Sequence, residues 1–210
     1  NFKGKFLGSG SDGWKYWDEL RAGNISQNDW EEVETGIARS YGHCMTMGTA
    51  STMTAIAEAM GLCLPGASSI PAADSNHIRM SVNVGKRIVE MVWEDLTPRK
   101  IITENSVENA VTVAMAMGCS TNAIIHLIAM ARRAGINLTM DDLDKKGRKI
   151  PLIANIRPSG NDYLMEDFYY AGGILSLMYS LANQLNLEEK TVSGLKLGKL
   201  IDGKETLNQD

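Results

Sequence analysis

The run from residue 45 to residue 60 constrains how this chain can fold more than any other feature, because nearly every residue in it is small or a methionine. Met53, Ala57 and Met60 recur on one stripe at helical spacing, and Gly61 supplies a stop signal. A helix with so many Ala, Ser and Thr residues lets its neighbours approach closely. The run therefore predicts a helix that is buried on most of its sides.

Capping signals predict helices over much of the remaining chain. Each of these signals is a Ser, Thr or Asp that precedes an apolar pattern of helical period. The predicted N-caps are Ser26, Asp74 or Ser75, Thr103, Ser120 and Thr139. The helix after Ser26 is predicted to reach about Arg39, and the long helix after Asp74 about Asp95. A final helix is predicted from Met165 to about Leu185, although it contains Gly172 and Gly173.

Two segments predict short strands. Residues 68–72 follow the turn Leu64-Pro65-Gly66, and residues 151–157 alternate weakly and contain β-branched side chains. Residues 1–24 carry five glycines and predict a loop-rich lead-in. We therefore expect an α/β fold, a helix-rich layered structure with a small, mostly parallel sheet, over residues 1–187. The periodicity alone also allows an all-α fold. The polar, Gly-punctuated residues 188–210 predict a linker.

Charge and composition argue against several classes of protein. The chain has 21 Lys and Arg and 25 Asp and Glu, and its net charge of −4 disfavours binding to nucleic acid. No stretch approaches the roughly 20 apolar residues that a membrane span needs, and no signal-peptide core follows residue 1. Three widely spaced cysteines are typical of reduced thiols. These features predict a cytoplasmic protein, and the absence of an initiator Met predicts a fragment.

Cys44 is the first candidate functional residue. It is predicted to lie where a loop turns into the helix of residues 45–60, and the positive end of a helix dipole stabilises the thiolate that binds metal. The alternative is that Cys44 is a small buried apolar residue, as most free cysteines are. Simple packing is also the preferred interpretation of Cys63.

Ser120, Thr121 and Asn122 form the second candidate. They follow Cys119 at a predicted helix start, where free backbone N–H groups suit a carboxylate or a phosphate. The alternative is that Ser120 is an ordinary N-cap. An N-cap at Asp74 likewise explains the run Asp74-Ser75-Asn76-His77 better than a metal site does.

Five ordered blocks of sequence resemble the IlvD/Edd dehydratase family. They span residues 42–62, 85–90, 117–122, 165–167 and 171–173, and they occur in the family's order with about the family's spacing. Residues 8–15, 40–42 and 168–173 are most similar to its sugar-acid branch, which includes L-arabinonate and D-xylonate dehydratases. The runner-up is dihydroxy-acid dehydratase of branched-chain amino acid synthesis. At Cys119 the chain departs from the family, which usually has a Gly there.

The resemblance implies a central fragment of an iron–sulfur hydro-lyase that dehydrates an aldonate to a 2-keto-3-deoxy acid. It implies a cluster, [2Fe–2S] rather than [4Fe–4S], with Mg²⁺ nearby. Cys44 matches the last of three cluster ligands, whereas Cys63 and Cys119 match none. The catalytic serine would lie beyond Asp210, so the fragment alone would be inactive.

The binding partners follow from the same comparison. We expect a small sugar-acid substrate, with Ser120, Thr121 and Asn122 close to it, and a homo-oligomer (a dimer or tetramer) of the full-length protein. Two other classes are left open. One is a non-catalytic scaffold module. The other is an anion-binding module, which is the less favoured of the two because the chain contains no Gly-rich phosphate-binding motif.

Overall fold

Helices are the regular elements of residues 1–38 and 40–207, which are the residues that the computed structural model describes. They are α1 (Ser11–Arg21), α2 (Gln27–Ile37), α3 (Thr49–Ala59), α4 (Ser75–Trp93), α5 (Pro98–Ile101), α6 (Glu104–Met117), α7 (Thr121–Arg133), α8 (Met140–Gly147), α9 (Met165–Tyr170), α10 (Gly173–Ser180) and α11 (Leu197–Ile201). Two short 3₁₀ turns are also present, at Ala67–Ser69 and Ala182–Gln184.

The predicted N-caps are confirmed, with Asp74 and not Ser75 as the cap of the long helix, and they fix where five of the helices begin. The side chains of Ser26, Thr103 and Thr139 accept the backbone N–H three residues on, while those of Asp74 and Ser120 accept the N–H two residues on. Such caps satisfy backbone groups that a helix start leaves unpaired. Residue 39, where the first predicted helix was to end, lies outside the described residues.

α3 and α6 lie side by side at the centre of the fold. Most of the 14 residues of α6 are buried, and so are Ala55, Ile56 and Ala59 of α3. One apolar cluster joins this helix pair to α10 and α11, and a second joins it to α7 and α8. The predicted burial of the helix within residues 45–60 is confirmed, and small side chains allow this double packing.

The predicted α/β fold with a small parallel sheet is wrong for the part of the chain that the structure describes. Residues 68–72 begin in a 3₁₀ turn, and residues 151–157 are irregular apart from one isolated bridge between Ile156 and Tyr163. The second segment forms no strand because its backbone groups bond to a helix. The N–H groups of Ile153 and Ala154 both donate to the carbonyl of Ala116 near the end of α6, so this run crosses a helix end instead of joining a ladder.

Two further elements differ from the sequence prediction. Residues 1–24 contain α1, which packs on α2 through an edge-to-face contact of Trp17 with Trp30, their ring centroids 5.3 Å apart. Aromatic packing thus outweighs the glycine-rich composition. The final predicted helix is divided into α9 and α10, because Gly172 and Gly173 both have positive φ angles of 111° and 64°, which a continuous right-handed helix does not allow.

The predicted linker contains packed residues. Leu197 and Ile201 of α11 belong to the core cluster with α10, and Thr191 is buried. The boundary at residue 188 stays a prediction, and residues 208–210 lie outside the described part. Among the described residues, no helix is both long enough and apolar enough to cross a membrane.

Candidate functional site

Cys44 lies in an irregular segment between α2 and α3, and its side chain is exposed. Because α3 begins only at Thr49, the predicted position of Cys44 at a helix start is wrong, and so is the dipole argument that rested on it. The alternative of a buried apolar cysteine is also wrong. What remains is an accessible thiol on a loop.

Backbone hydrogen bonds hold this loop in place. The N–H of Met47 donates to the carbonyl of Arg157, and the N–H of Met165 donates to the carbonyl of Met45, each at 2.7 Å. Both bonds join the loop to residues more than 100 positions further along the chain. The geometry around Cys44 is therefore set by tertiary contacts and not by local sequence.

A cavity of about 380 Å³ opens beside Cys44. Its wall includes three further side chains with metal- or proton-binding atoms, namely those of His43, His77 and Glu166. Gly42 lets the Cys44 loop approach Ala72 closely on one side of the cavity. Its φ is 118°, and a Cβ at residue 42 would lie only 2.7 Å from the Cβ of Ala72. Within the described ranges, however, no group of three His, Cys, Asp or Glu residues is arranged to hold a metal ion.

Ser120 and Asn122 are bonded to the start of α3. The side-chain amide of Asn122 donates to Thr49 Oγ1 at 2.7 Å, and Thr49 Oγ1 lies 3.3 Å from Ser120 Oγ. The backbone N–H of Ser120 donates to Thr52 Oγ1 at 3.3 Å. The N-terminal ends of α3 and α7 thus meet at this point. Thr121 is exposed beside them.

The two predicted site segments do not share one cavity. Residues 120–122 are absent from the lining of the cavity beside Cys44, although both segments flank the start of α3. Ser120 acts as the N-cap of α7, as its alternative interpretation held. The roles of Cys44 and of residues 120–122 in binding stay predictions.

Glu58 is a candidate that the sequence analysis missed. Its side chain is only 3% exposed, and its carboxylate accepts the backbone N–H groups of Gly66 at 2.5 Å and Ser68 at 2.9 Å. Burial raises the pKa of Glu58 above the ordinary value of a carboxyl group. A signal was available, since Glu58 is the one charged residue within positions 45–60.

The carboxylate of Glu58 fixes one wall of the cavity. Residues 67–73 line that wall, and Glu58 holds their beginning. On the other side, Ser69 Oγ accepts the N–H of Ile174 at 3.0 Å. The wall is thereby bonded both to α3 and to α10.

We expect Cys44 to react with iodoacetamide at pH 8 about tenfold faster than the other two thiols in the metal-free protein. Burial and the nearby Glu58 carboxylate raise the pKa of Cys63 to about 11, and burial raises the pKa of Cys119. Cys44 is exposed. Peptide mapping after timed labelling measures the three rates. Denatured protein is the control, and equal rates in the native protein would contradict the expectation.

The chain belongs to a family of dehydratases. The family model described as "Dihydroxy-acid/6-phosphogluconate dehydratase N-terminal" matches residues 3–200. The resemblance inferred from the five ordered blocks is therefore confirmed.

Individual relatives include enzymes named for sugar acids and for dihydroxy acids. The chain is 51% identical over 200 residues to 6-deoxy-6-sulfo-D-gluconate dehydratase of Pseudomonas putida, covering 95% of this chain and 34% of that protein. It is 47% identical to L-arabinonate dehydratase of Rhizobium leguminosarum, covering 92% and 34%. It is 40% identical to dihydroxy-acid dehydratase of Methanosarcina barkeri, covering 89% and 34%. The chain thus spans about a third of the length of these relatives.

Proposed function

We propose that the full-length protein containing this chain is a hydro-lyase that removes water from a sugar acid and yields a 2-keto-3-deoxy acid. The observation that carries the proposal is the family match over residues 3–200 together with 51% identity to a relative named as a sulfogluconate dehydratase. The accessible thiol beside a cavity of about 380 Å³ supports it, because such a volume admits a small ligand.

An iron–sulfur cluster, [2Fe–2S], with Mg²⁺ nearby is the cofactor set that we propose. Cys44 fits one ligand position because its thiol is exposed on the cavity wall. When bound, such a cluster supplies a Lewis-acidic iron. Since the described residues hold no group of three metal-binding side chains, Cys44 would be the ligand from this chain and others would come from elsewhere in the full-length protein.

The residues of this chain would position the substrate and shape its surroundings. Glu58 holds the beginning of the cavity wall formed by residues 67–73, and Asn122 and Thr49 join the two helix starts. Helix N-termini favour anionic groups such as a substrate carboxylate. We assign no catalytic acid or base to these 210 residues, so the fragment alone is expected to be inactive.

A substrate panel tests the proposal. Full-length protein is purified anaerobically and incubated with L-arabinonate, D-xylonate, 6-deoxy-6-sulfo-D-gluconate and 2,3-dihydroxyisovalerate, and the 2-keto acid formed is measured. We expect product from at least one sugar acid. Product from 2,3-dihydroxyisovalerate alone would favour the second candidate, a dihydroxy-acid dehydratase, which the 40% identity to such an enzyme supports. No product from any substrate would favour a non-catalytic scaffold.

We also propose that the full-length protein is cytoplasmic and that it forms a homo-oligomer. The reduced state expected for three widely spaced cysteines supports the compartment. Exposed aliphatic side chains on α4, those of Ile78, Val82, Val89 and Val92, support self-association.

Replacing Asn122 by Ala in the full-length protein is expected to lower kcat/KM by about tenfold without unfolding the protein. The substitution removes the amide that bridges the starts of α7 and α3. Steady-state kinetics with the best substrate of the panel and a thermal unfolding curve measure the two effects. Asn137→Ala is the matched control, since Asn137 is an exposed asparagine beyond the other end of α7. Unchanged kinetics would show that the contact between Asn122 and Thr49 has only a structural role.

A further inference from the structure

Arg157 lies where three segments of the chain meet. Its carbonyl accepts the N–H of Met47 at 2.7 Å, and Met47 belongs to the Cys44 loop, residues 40–48. Its guanidinium group bonds to two other segments, and only 27% of its side chain is exposed. Because Met47 is three positions from Cys44, whatever fixes the Arg157 carbonyl also restrains the loop that carries the thiol.

The guanidinium group of Arg157 closes the loop that follows it. Its Nε donates to the carbonyl of Asn161 at 3.0 Å, and its Nη2 donates to the carbonyl of Asp162 at 3.5 Å. The backbone N–H of Arg157 donates to the carbonyl of Tyr163 at 2.9 Å. A planar guanidinium group can reach several acceptors at once, which a lysine ammonium cannot do in the same geometry. One side chain thus ties residues 157–163 together.

The end of this loop returns to the cavity beside Cys44. Met165 lies two positions beyond Tyr163 and donates its N–H to the carbonyl of Met45 at 2.7 Å. Met45 and Met165 both line the cavity. The Cys44 loop is therefore bonded to both ends of residues 157–165, and loosening that stretch would release both bonds.

Asp12, near the start of α1, connects the third segment to Arg157. Its Oδ2 lies 3.6 Å from Nη1 of Arg157 and accepts the N–H of Gly8 at 2.6 Å. Gly8 lies close to the Cys44 loop, since a Cβ there would be 3.1 Å from Cγ2 of the buried Thr46. Both charged side chains are partly shielded, with 21% of Asp12 exposed, so solvent screens their attraction less than it would on an open surface.

We propose that Arg157, together with Asp12, is a positioning residue that holds the Cys44 loop against the cavity and fixes how the thiol is presented. Arg157 acts through the loop, because it is absent from the lining of the cavity. Groups that orient a metal ligand without touching the metal tune how tightly the metal is held. The inference rests on the proposed role of Cys44 as a cluster ligand only for the iron measurement described below.

Amide hydrogen exchange of the full-length protein, purified anaerobically, tests the positioning directly. Arg157→Met keeps a long side chain but removes its donors, so the peptide that covers residues 45–48 should exchange about tenfold faster than in the wild type. A peptide from α6, which is mostly buried, reports global opening and should be unchanged. Arg148→Met is the matched control, because the Arg148 guanidinium is exposed and pairs with Asp144.

Iron release to a chelator gives a second readout on the same proteins. The visible absorption of Arg157→Met should disappear about tenfold faster than that of the wild type. Arg157→Lys should recover part of the loss, since an ammonium group replaces only some of the contacts that the guanidinium group makes. Asp12→Asn should change exchange and iron release in the same direction but by less, because it leaves the bonds of Arg157 to Asn161 and Asp162.

The comparison between variants decides the role of Arg157. Faster exchange confined to the Cys44 loop, with Arg148→Met like the wild type, supports the proposal. Wild-type exchange in Arg157→Met overturns it, and so does an equal increase in the α6 peptide, since the residue would then only stabilise the fold. If Arg157→Met does not fold, Arg157→Lys and Asp12→Asn decide by the same criteria. Wild-type protein without iron would contradict the proposed cofactor, while the exchange result would still decide the positioning.

Discussion

Replacing Cys44 by Ser in the full-length protein is expected to remove most of its bound iron and its visible sulfur-to-iron absorption. Cys44 is an exposed thiol on the cavity wall, and we propose it as a ligand of the cluster. A cluster normally needs a full set of thiolates, so the loss of one ligand releases most of the metal. Iron content per chain and the absorption spectrum after anaerobic purification measure the effect.

The other two cysteines provide matched controls for this experiment. Cys63→Ser and Cys119→Ser should keep both iron and absorption if they fold, because neither residue is a proposed cluster ligand. Their half-buried thiols also have raised pKa values, which disfavours the thiolate. Full iron retention in Cys44→Ser would refute the assignment of this residue.

Replacing Glu58 by Ala is expected to lower the free energy of unfolding by about 2–4 kcal/mol. The substitution would leave the N–H groups of Gly66 and Ser68 without their acceptor inside the protein and would open a cavity on α3. Chemical denaturation of the full-length protein measures the change. Glu34→Ala on α2 is the control, because Glu34 is exposed and its loss should change stability by less than about 0.5 kcal/mol. An equal effect of the two substitutions would contradict the structural role of Glu58.

The pH dependence of stability should reveal the buried carboxyl group of Glu58. Its pKa is raised in the folded protein by burial, so the folded state binds a proton at a higher pH than the unfolded state, whose pKa is near 4.5. Relative to Glu58→Gln, the wild-type protein should therefore gain stability as the pH falls through the folded pKa toward 4.5. It should lose that gain as the pH rises again. Denaturation of both proteins from pH 5 to pH 8 measures the difference, and a difference that does not change with pH would contradict the raised pKa.

Local signals in the sequence determined where helices begin. Ser26, Thr103 and Thr139 cap a backbone group only three residues away, so their effect can be predicted without knowledge of the fold. The small side chains of residues 45–60 determined the buried central helix for a similar reason, since they permit close contact with any neighbour. The ordered motifs also determined the family, which the match over residues 3–200 confirmed.

Only the tertiary structure decided how distant segments meet. Residues 151–157 have strand-like composition, but Ile153 and Ala154 bond to Ala116 in α6 and form no sheet. The contact of Asn122 with Thr49 spans 73 positions, and α4 exposes an apolar face that its pattern alone would predict to be buried. The physical reason is the same in each case. A cap depends on neighbours in sequence, whereas strand pairing, the burial of Glu58 and the covering of a helix face depend on which remote groups supply hydrogen bonds and apolar surface.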